Sequence, residues 1–518
     1  MDPKLNTNLI FIKSFVFAFM LYALFKWFLK KQDSMAATKL PQPSALPFIG
    51  HLHLIGQVLP VSFQNLARKY GPLMEIRLGA SKCVVVSSSS VAREIFKEQE
   101  LNFSSRPEFG SAEHFKYRGS RFVLAQYGDY WRFMKKMCMT KLLAVPQLEK
   151  FADIREEEKL KLVESVAKCC REGLPCDLSS QFIKYTNNVI CRMAMSTRCS
   201  GTDDKAEEIR KLVKTSLELA GKISVGDLLG PFKVLDFSGN GKRLVAVIEK
   251  YDLLVERIMK EREANTTKKD GTRKDILDIL LETYRDPTAE MKLTRNDMKS
   301  FLLVCFLLPD VFMAGTDTSA AAMQWAMGQL LNHPQAFNKL REEINTVVGS
   351  KRMVNESDVP NLPYLRAVLR ETLRLHPSAP LIIRECAEDC QVNGCLVKSK
   401  TRVLVNVYAI MRDSELWKDA DRFIPERFLE SSEEKIGEHQ MEFKGQNFRY
   451  LPFGSGRRGC PGASLAMNMM HIGVGSLVQR FDWKSVDGQK VDLSQGSGFS
   501  AEMARPLVCN PVDHFNTF

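Results

Sequence analysis

The stretch YLPFGSGRRGCPGASLAM, from Tyr450 to Met467, gathers the densest set of residues able to do chemistry. Gly454, Gly456, Gly459 and Gly462 keep the backbone bare, Arg457 and Arg458 bring charge, and Cys460 stands just ahead of an apolar helical pattern. Three readings compete. Gly454, Gly456 and Gly459 formally match G-x-G-x-x-G, but a dinucleotide loop needs a preceding strand, a βαβ unit and an acidic residue about 20 positions later. Pro461 breaks the expected helix start and no parallel βαβ series surrounds it. The second reading is a buried structural cysteine in a turn. The third is a thiolate at a helix N-terminus, where backbone N–H groups and positive charge lower a thiol pKa and suit a metal centre.

Other groups are weaker when taken singly. Glu371 and Arg374 share a helical face at i, i+3 in LRAVLRETLRLHPSAP, an arrangement common as solvated decoration. The run Phe312 to Ser319 (FMAGTDTS) sets an acid beside hydroxyls in an apolar helical pattern. Gly315 costs helix stability there, and the acid needs a reason. Trp131 and Lys135 lie one helical turn apart and read by themselves as part of an amphipathic helix. Cys386, Cys390 and Cys395 lack the spacings and the nearby histidine of a zinc site, and are taken as structural.

Phe453, Gly456, Arg458, Cys460 and Gly462 fit F-x-x-G-x-R-x-C-x-G, and here the sequence resembles the cytochrome P-450 superfamily of haem-thiolate monooxygenases. The resemblance implies a mainly α fold with small β-sheets. It implies haem b (iron protoporphyrin IX) as cofactor, with Cys460 the axial ligand whose anionic sulfur pushes electron density to iron. Phe453 and Arg458 then belong to the cofactor pocket, and Trp131, Lys135, Arg384 and Arg458 resemble its propionate contacts. With Pro425-Glu426-Arg427-Phe428 following, the E-x-x-R helix implies a buried structural network of Glu371, Arg374 and Arg427. The A-G-x-D-T match implies a helix across the distal haem face. Ala314 and Gly315 leave room for dioxygen there, while Asp317 and Thr318 manage water and proton delivery as the catalytic pair.

The same resemblance brings electrons from NADPH through an NADPH-cytochrome reductase, with cytochrome b5 as an additional donor. Segments such as PYLRAVLRETLRLHP, VNVYAIMRD and PFGSGRRGCPGASLA are similar to plant A-type microsomal members, in particular the families that oxidise triterpenoids, flavonoids and isoflavonoids. Substrate contacts are expected from Arg106 to Ala125, Val225 to Phe232, Phe312 to Thr316, Leu381 to Ile383, and Gly498 to Met503. Ala314, Leu381, Ile382 and Ile383 form an apolar set that favours a large terpenoid, a triterpenoid first and a flavonoid-type phenolic second. The rival classes are a haem-thiolate isomerase or dehydratase, against which Asp317 and Thr318 argue, and a noncatalytic haem protein in a metabolic complex.

One departure from the pattern stands out. Val304 to Pro309 (VCFLLP) reads as an insertion ahead of the distal stretch. Six residues would rotate a continuous helix by about 240°, and Pro309 would delete a helical hydrogen bond, so a bulge or break is expected. The insertion reshapes the substrate roof or marks a splice or gene-model variant.

These motifs must be positioned by a chain of 518 residues. With 45% hydrophobic and 26% charged residues it has the composition of a folded globular protein, which excludes long disorder and collagen-like repeats. Its thirteen cysteines lack the spacing of a secreted disulfide framework, so most are expected as reduced thiols. A net charge of +12 suits an acidic reductase or an anionic membrane surface, and no motif supports nucleic acid. Leu9 to Leu29 is apolar and long enough to span a bilayer, with Lys13 and Lys26 near its ends. No small-residue cleavage site follows, so a retained anchor is preferred over a signal peptide. The excess of basic residues after the span places the rest in the cytosol, at the endoplasmic reticulum membrane. The expected organisation is residues 1–31 as membrane anchor, 32–50 as a polar and proline-rich hinge, and 51–518 as the haem-containing catalytic domain. Val145 to Glu263 and Asp297 to Arg374 carry helical periodicity, whereas Gly71 to Ser89 carries strands.

Overall fold

A computed structural model describes residues 39–79, 81–107, 122, 125–198, 240–264, 273–306, 317–429, 445–496 and 501–514. The principal helices are α1 (Leu59–Tyr70), α2 (Asp129–Met137), α3 (Ala152–Arg171), α4 (Leu178–Met195), α5 (Asn240–Ala264) and α6 (Ile276–Arg285). They continue as α7 (Arg295–Phe306), α8 (Asp317–Asn332), α9 (Pro334–Val347), α10 (Pro363–Leu375) and α11 (Ala463–Arg480). Strands are β1 (Leu73–Leu78), β2 (Ser81–Val86), β3 (Cys176–Asp177), β4 (Leu381–Glu385), β5 (Cys390–Val392), β6 (Cys395–Val397), β7 (Arg402–Asn406), β8 (Phe481–Ser485) and β9 (Val508–Asp513).

The helices meet where their apolar residues do. α8 and α11 are buried along nearly their whole length, a pattern that belongs to central helices rather than amphipathic surface ones. Around them α3, α4, α9 and α10 close one apolar core, and α2, α4, α5, α6 and α7 close a second. α10 starts at Pro363, a residue suited to the first helical turn, and the Glu343 carboxylate of α9 accepts the otherwise orphaned N–H groups of Tyr364 and Leu365 at 2.7 and 3.0 Å.

The largest sheet has the order β1-β2-β7-β4. β2 pairs in parallel with β7, and its Cys83-Val84-Val85-Val86 run is buried throughout, as a strand covered on both faces must be. β4 pairs antiparallel with β7, aligning Arg384 with Val403 and Ile382 with Val405. A second sheet runs β3-β9-β8, and β5-β6 forms a hairpin.

Ten of the described cysteines are free thiols and Cys191 is disulfide bonded. Among the described residues, no helix is long and apolar enough to cross a membrane. The expected anchor from Leu9 to Leu29 lies outside them, as do Leu307 to Pro309 of the expected insertion.

Candidate active site

Cys460 sits in an irregular loop between Tyr450 and the start of α11. Its N–H donates to the Phe453 carbonyl at 3.0 Å, and the Gly459 N–H donates to Gly456 at 2.9 Å, so the chain doubles back around the sulfur. Gly456 makes that possible: its φ is +67°, and a Cβ there would lie 2.8 Å from Glu100 Oε1. Glu100 in turn accepts the Arg457 N–H at 2.7 Å and Arg457 Nε at 3.0 Å, pinning the loop from outside. Lys135 of α2 pins it from another side, Nζ donating to the Gly459 carbonyl at 2.7 Å.

The Cys460 side chain is the exposed thiol among the described cysteines, yet enclosure by protein pushes its pKa up. Its side chain is thus accessible while the protein around it desolvates the charged form. The Gly462 N–H and the Lys135 charge pull in the opposite direction. This corrects the expectation that Arg457 and Arg458 activate the thiol. Arg457 is committed to Glu100, and Arg458 donates Nε to the Ser104 carbonyl at 2.7 Å and a second N–H to Ala125 while stacking 4.4 Å over Trp131.

A cationic group faces the same region. Arg384, on β4, is 2% exposed, donates to the adjacent Ile383 carbonyl at 2.9 Å and lies 5.4 Å over the Phe96 ring. Burial holds its pKa well below the usual arginine range, and the charges acting on it, Arg106 and Arg458, are both positive. Burial and Arg106 likewise push Arg458 down to about 9. The buried Arg384 guanidinium, repelled by Arg106 and Arg458, is stabilised by an anion, and its planar fork matches a carboxylate. An accessible thiol beside a buried arginine that other cations repel fits a cofactor with a metal at its centre and carboxylates at its edge. Trp131 is buried beneath Arg458, stacked on Phe122 at 6.2 Å and meeting Tyr127 at 5.4 Å with the rings tilted by 46°. Lys135 lies near enough to Arg458 to feel its charge, but its amine is taken by Gly459.

Glu371, Arg374 and Arg427 come together as one network. Arg374 grips Glu371 with two hydrogen bonds of 2.7 and 2.9 Å, both side chains fully buried, and Arg427 Nε donates to Glu371 Oε1 at 3.0 Å. Arg374 also donates to the carbonyls of Met411, Ala420 and Arg422, so the ion pair staples α10 to the chain that leads toward the cysteine loop.

Asp317 is the first residue of α8 and is buried, and Thr318 follows it half-buried. Val225 to Phe232 and Phe312 to Thr316, Ala314 and Gly315 among them, lie outside the described residues, as do Gly498 to Ser500 of the Gly498 to Met503 segment. β4 corrects one expectation. Strand alternation divides Leu381 to Ile383: Leu381 and Ile383 pack with Phe63, Met74 and Ile76, and only Ile382 shares the Arg384 face, close to Gly454 of the cysteine loop. The set expected to line one pocket is therefore split between two faces. Cys386 and Cys390 bring their sulfurs within 3.6 Å, but among the described residues no cluster could hold a metal ion. Glu100 had no readable signal: it stands outside every motif, and only folding brings it to the loop.

The comparisons match this geometry. The family model described as "Cytochrome P450" covers residues 40–509, and the chain belongs to that family, whose members are haem-containing monooxygenases. Among curated relatives it is 40% identical to 3,9-dihydroxypterocarpan 6A-monooxygenase of Glycine max, over 92% of this chain and 94% of that protein. It is 42% identical to Cytochrome P450 705A5 of Arabidopsis thaliana over 97% and 96% of the two chains, and 38% identical to beta-amyrin 24-hydroxylase of Glycine max over 95% and 98%. A solved zebra fish cytochrome P450 with progesterone superposes with a TM-score of 0.73 at 26% identity, over 87% of this chain and 99% of that one.

Proposed function

We propose that this monooxygenase oxidises a hydrophobic specialised metabolite, a triterpenoid first and a flavonoid or isoflavonoid second. The observation that carries the haem site is the pairing of an accessible, enclosed Cys460 thiol with the buried, mutually repelling Arg384 and Arg458. Cys460 would hold the iron and Arg384 and Arg458 would meet the propionates, with Trp131 stacked under Arg458. When bound, haem supplies the activation of dioxygen. Asp317 and Thr318 would order water and pass protons to bound dioxygen, and by the family resemblance Ala314 and Gly315 are the residues expected to leave room for it. Electrons come from NADPH through a reductase docking on the basic surface, with cytochrome b5 as an additional donor. Leu9 to Leu29 anchors the chain as a single pass in the endoplasmic reticulum membrane, catalytic part in the cytosol.

The substrate reading rests on likeness to a hydroxylase of beta-amyrin and to a monooxygenase of a pterocarpan, each over more than nine-tenths of the chain. The test is a reduced carbon monoxide difference spectrum on microsomes expressing the chain, followed by NADPH-dependent turnover of a triterpenoid and flavonoid panel. A thiolate-type band with an oxidised triterpenoid is the expected result. A phenolic product moves the substrate to the second class, turnover without NADPH points to an isomerase or dehydratase, and absence of the band overturns the haem reading.

A further inference from the structure

The cysteine loop and the α8 residues Asp317 and Thr318 are far apart in sequence, and one short segment between α10 and β4 touches both. Ser378 Oγ donates to the Thr318 carbonyl at 2.9 Å, and the Ser378 carbonyl accepts the Ala501 N–H at 3.2 Å. Three residues on, β4 begins, and its Ile382 Cδ1 would lie 3.5 Å from a Cβ on Gly454. The path from the cysteine loop to Thr318 therefore runs through Ile382, the turn before β4 and the Ser378 hydroxyl.

The same helix grips this segment twice more. Thr318, Trp325 and Gln329 are spaced seven and four residues apart, which aligns them along one face of α8. His376 lies flat on Trp325, centroids 3.7 Å apart and planes within 4°, and Gln329 Nε2 meets His376 Nε2 at 2.8 Å. Burial, with the charges of Arg412 and Arg374, keeps His376 neutral, so its ring stacks without a charge to solvate. Trp325 Nε1 donates to the Ala501 carbonyl at 2.6 Å, so both backbone groups of Ala501 are held, one by Ser378 and one by Trp325. Gly328, one turn beyond Trp325, lets the C-terminal chain close on α8: a Cβ there would come 3.0 Å from Leu493. Leu493 and Ala501 thus flank the same helix from the C-terminal side.

We propose that Ser378 and Trp325 are positioning residues that lock the helix bearing Asp317 and Thr318 at a fixed height over the cysteine loop, and so govern how efficiently the oxidation is coupled and which substrate carbon is presented. This rests on the monooxygenase reading above. Neither side chain needs to touch substrate. The Ser378 hydroxyl adds a grip from outside the helix to the backbone of Thr318. Removing it frees the turn carrying Thr318 to shift, and shifts well below a turn of helix are enough to misplace a proton-delivery group.

The experiment uses the full-length holoenzyme in microsomes and compares Ser378→Ala, Ser378→Thr and Trp325→Phe with wild type. Ser378→Ala should retain haem content and the thiolate-type carbon monoxide band while product per NADPH falls about threefold to tenfold and peroxide rises, and Ser378→Thr, which keeps the hydroxyl, should restore coupling. Trp325→Phe keeps an aromatic ring for His376 but loses the N–H, and should change the ratio of product isomers with little change in haem content. A second readout needs no substrate: amide hydrogen exchange of residues 317–322 should quicken about fivefold or more in Ser378→Ala, and that of Ala501 in Trp325→Phe, the scale of one lost hydrogen bond. Unchanged exchange in both variants overturns the proposal, as does unchanged coupling in Ser378→Ala. A wild type that makes no product from the panel defeats the substrate reading alone, because exchange still decides the lock.

Discussion

Cys460 is distinguished among the described cysteines by access and not by ease of ionisation. Ten described thiols are free, and several, such as Cys83 at about 11 and Cys386 at about 12, are pushed up by burial and covered by side chains. Cys460 is also pushed up, but its surface is open. Cys460→Ala should therefore abolish the thiolate-type carbon monoxide band, and a variant that kept the band would sink the ligand assignment. Arg384 makes a sharper test, because its charge is a liability until an anion arrives. Arg384→Met should weaken haem retention on gel filtration while raising the thermal stability of the haem-stripped protein, a gain on the order of 1 kcal/mol or more. If stripping haem left the variant less stable than wild type, the arginine would have a partner within the fold and the propionate role would fail. Thr318→Ala should keep haem and divert reducing equivalents to peroxide, lowering product per NADPH roughly tenfold. Coupling equal to wild type would remove Thr318 from proton delivery.

Between residues and domain stand the connections that hold elements in register. α10 is stapled by the Glu371 carboxylate, which takes Arg374 in two bonds, Arg427 in a third and the Ile424 N–H at 2.9 Å. Every oxygen of that carboxylate is used, and both guanidinium groups spread their remaining donors over backbone carbonyls from Met411 to Arg422. Such a network is stable only when complete. Glu371→Gln leaves the buried Arg374 and the half-buried Arg427 with a neutral acceptor, and should cost about 3–5 kcal/mol, read as a lowered urea midpoint and poor haem incorporation. A midpoint within experimental scatter of wild type would show that the carboxylate charge contributes nothing there. The cysteine loop depends on another such connection, Glu100 with Arg457, which joins it to the chain between β2 and α2.

At the scale of the whole molecule, the central helices bury ionisable rings that water would charge. Burial drives His471 on α11 down to about 3 against the pull of the Met467 carbonyl, with Arg366 and Arg370 adding to the fall. His376 lies well below its ordinary value for the same first reason. Above pH 6.5 the folded and unfolded chains both carry these rings neutral. Below it the unfolded chain takes up protons that the folded chain refuses, so stability drops as the pH falls from 6.5 toward 3, by about 1.4 kcal/mol per pH unit for His471 alone. Urea denaturation at pH 7.0 and 5.5 should show this loss, and His471→Met should flatten the slope. An unchanged slope in that variant would mean the ring is already protonated in the fold.

How much was legible beforehand divides along the range of the forces involved. The cysteine loop, the E-x-x-R pair and the acid–hydroxyl pair were visible as fixed local spacings over about one to three turns, and their roles were readable through the resemblance to a known family. Helical dominance and the small sheets were readable from periodicity, which burial imposes on each element separately. The partners of those residues were not. Gly456 announces a tight turn, but that the turn closes on Glu100 follows from packing across some 350 positions. Leu381 to Ile383 read as one apolar set, and the register of β4 on β7 decided which side chain meets the cysteine loop. Ser378 and Trp325 look like an ordinary turn serine and core tryptophan until the C-terminal chain returns to Ala501. Sequence by itself determined the chemistry this chain carries, because ligand and acid types are written residue by residue. Tertiary structure alone decided how that chemistry is aimed, because desolvation, charge repulsion and hydrogen-bond partnership depend on which distant segments share one interior.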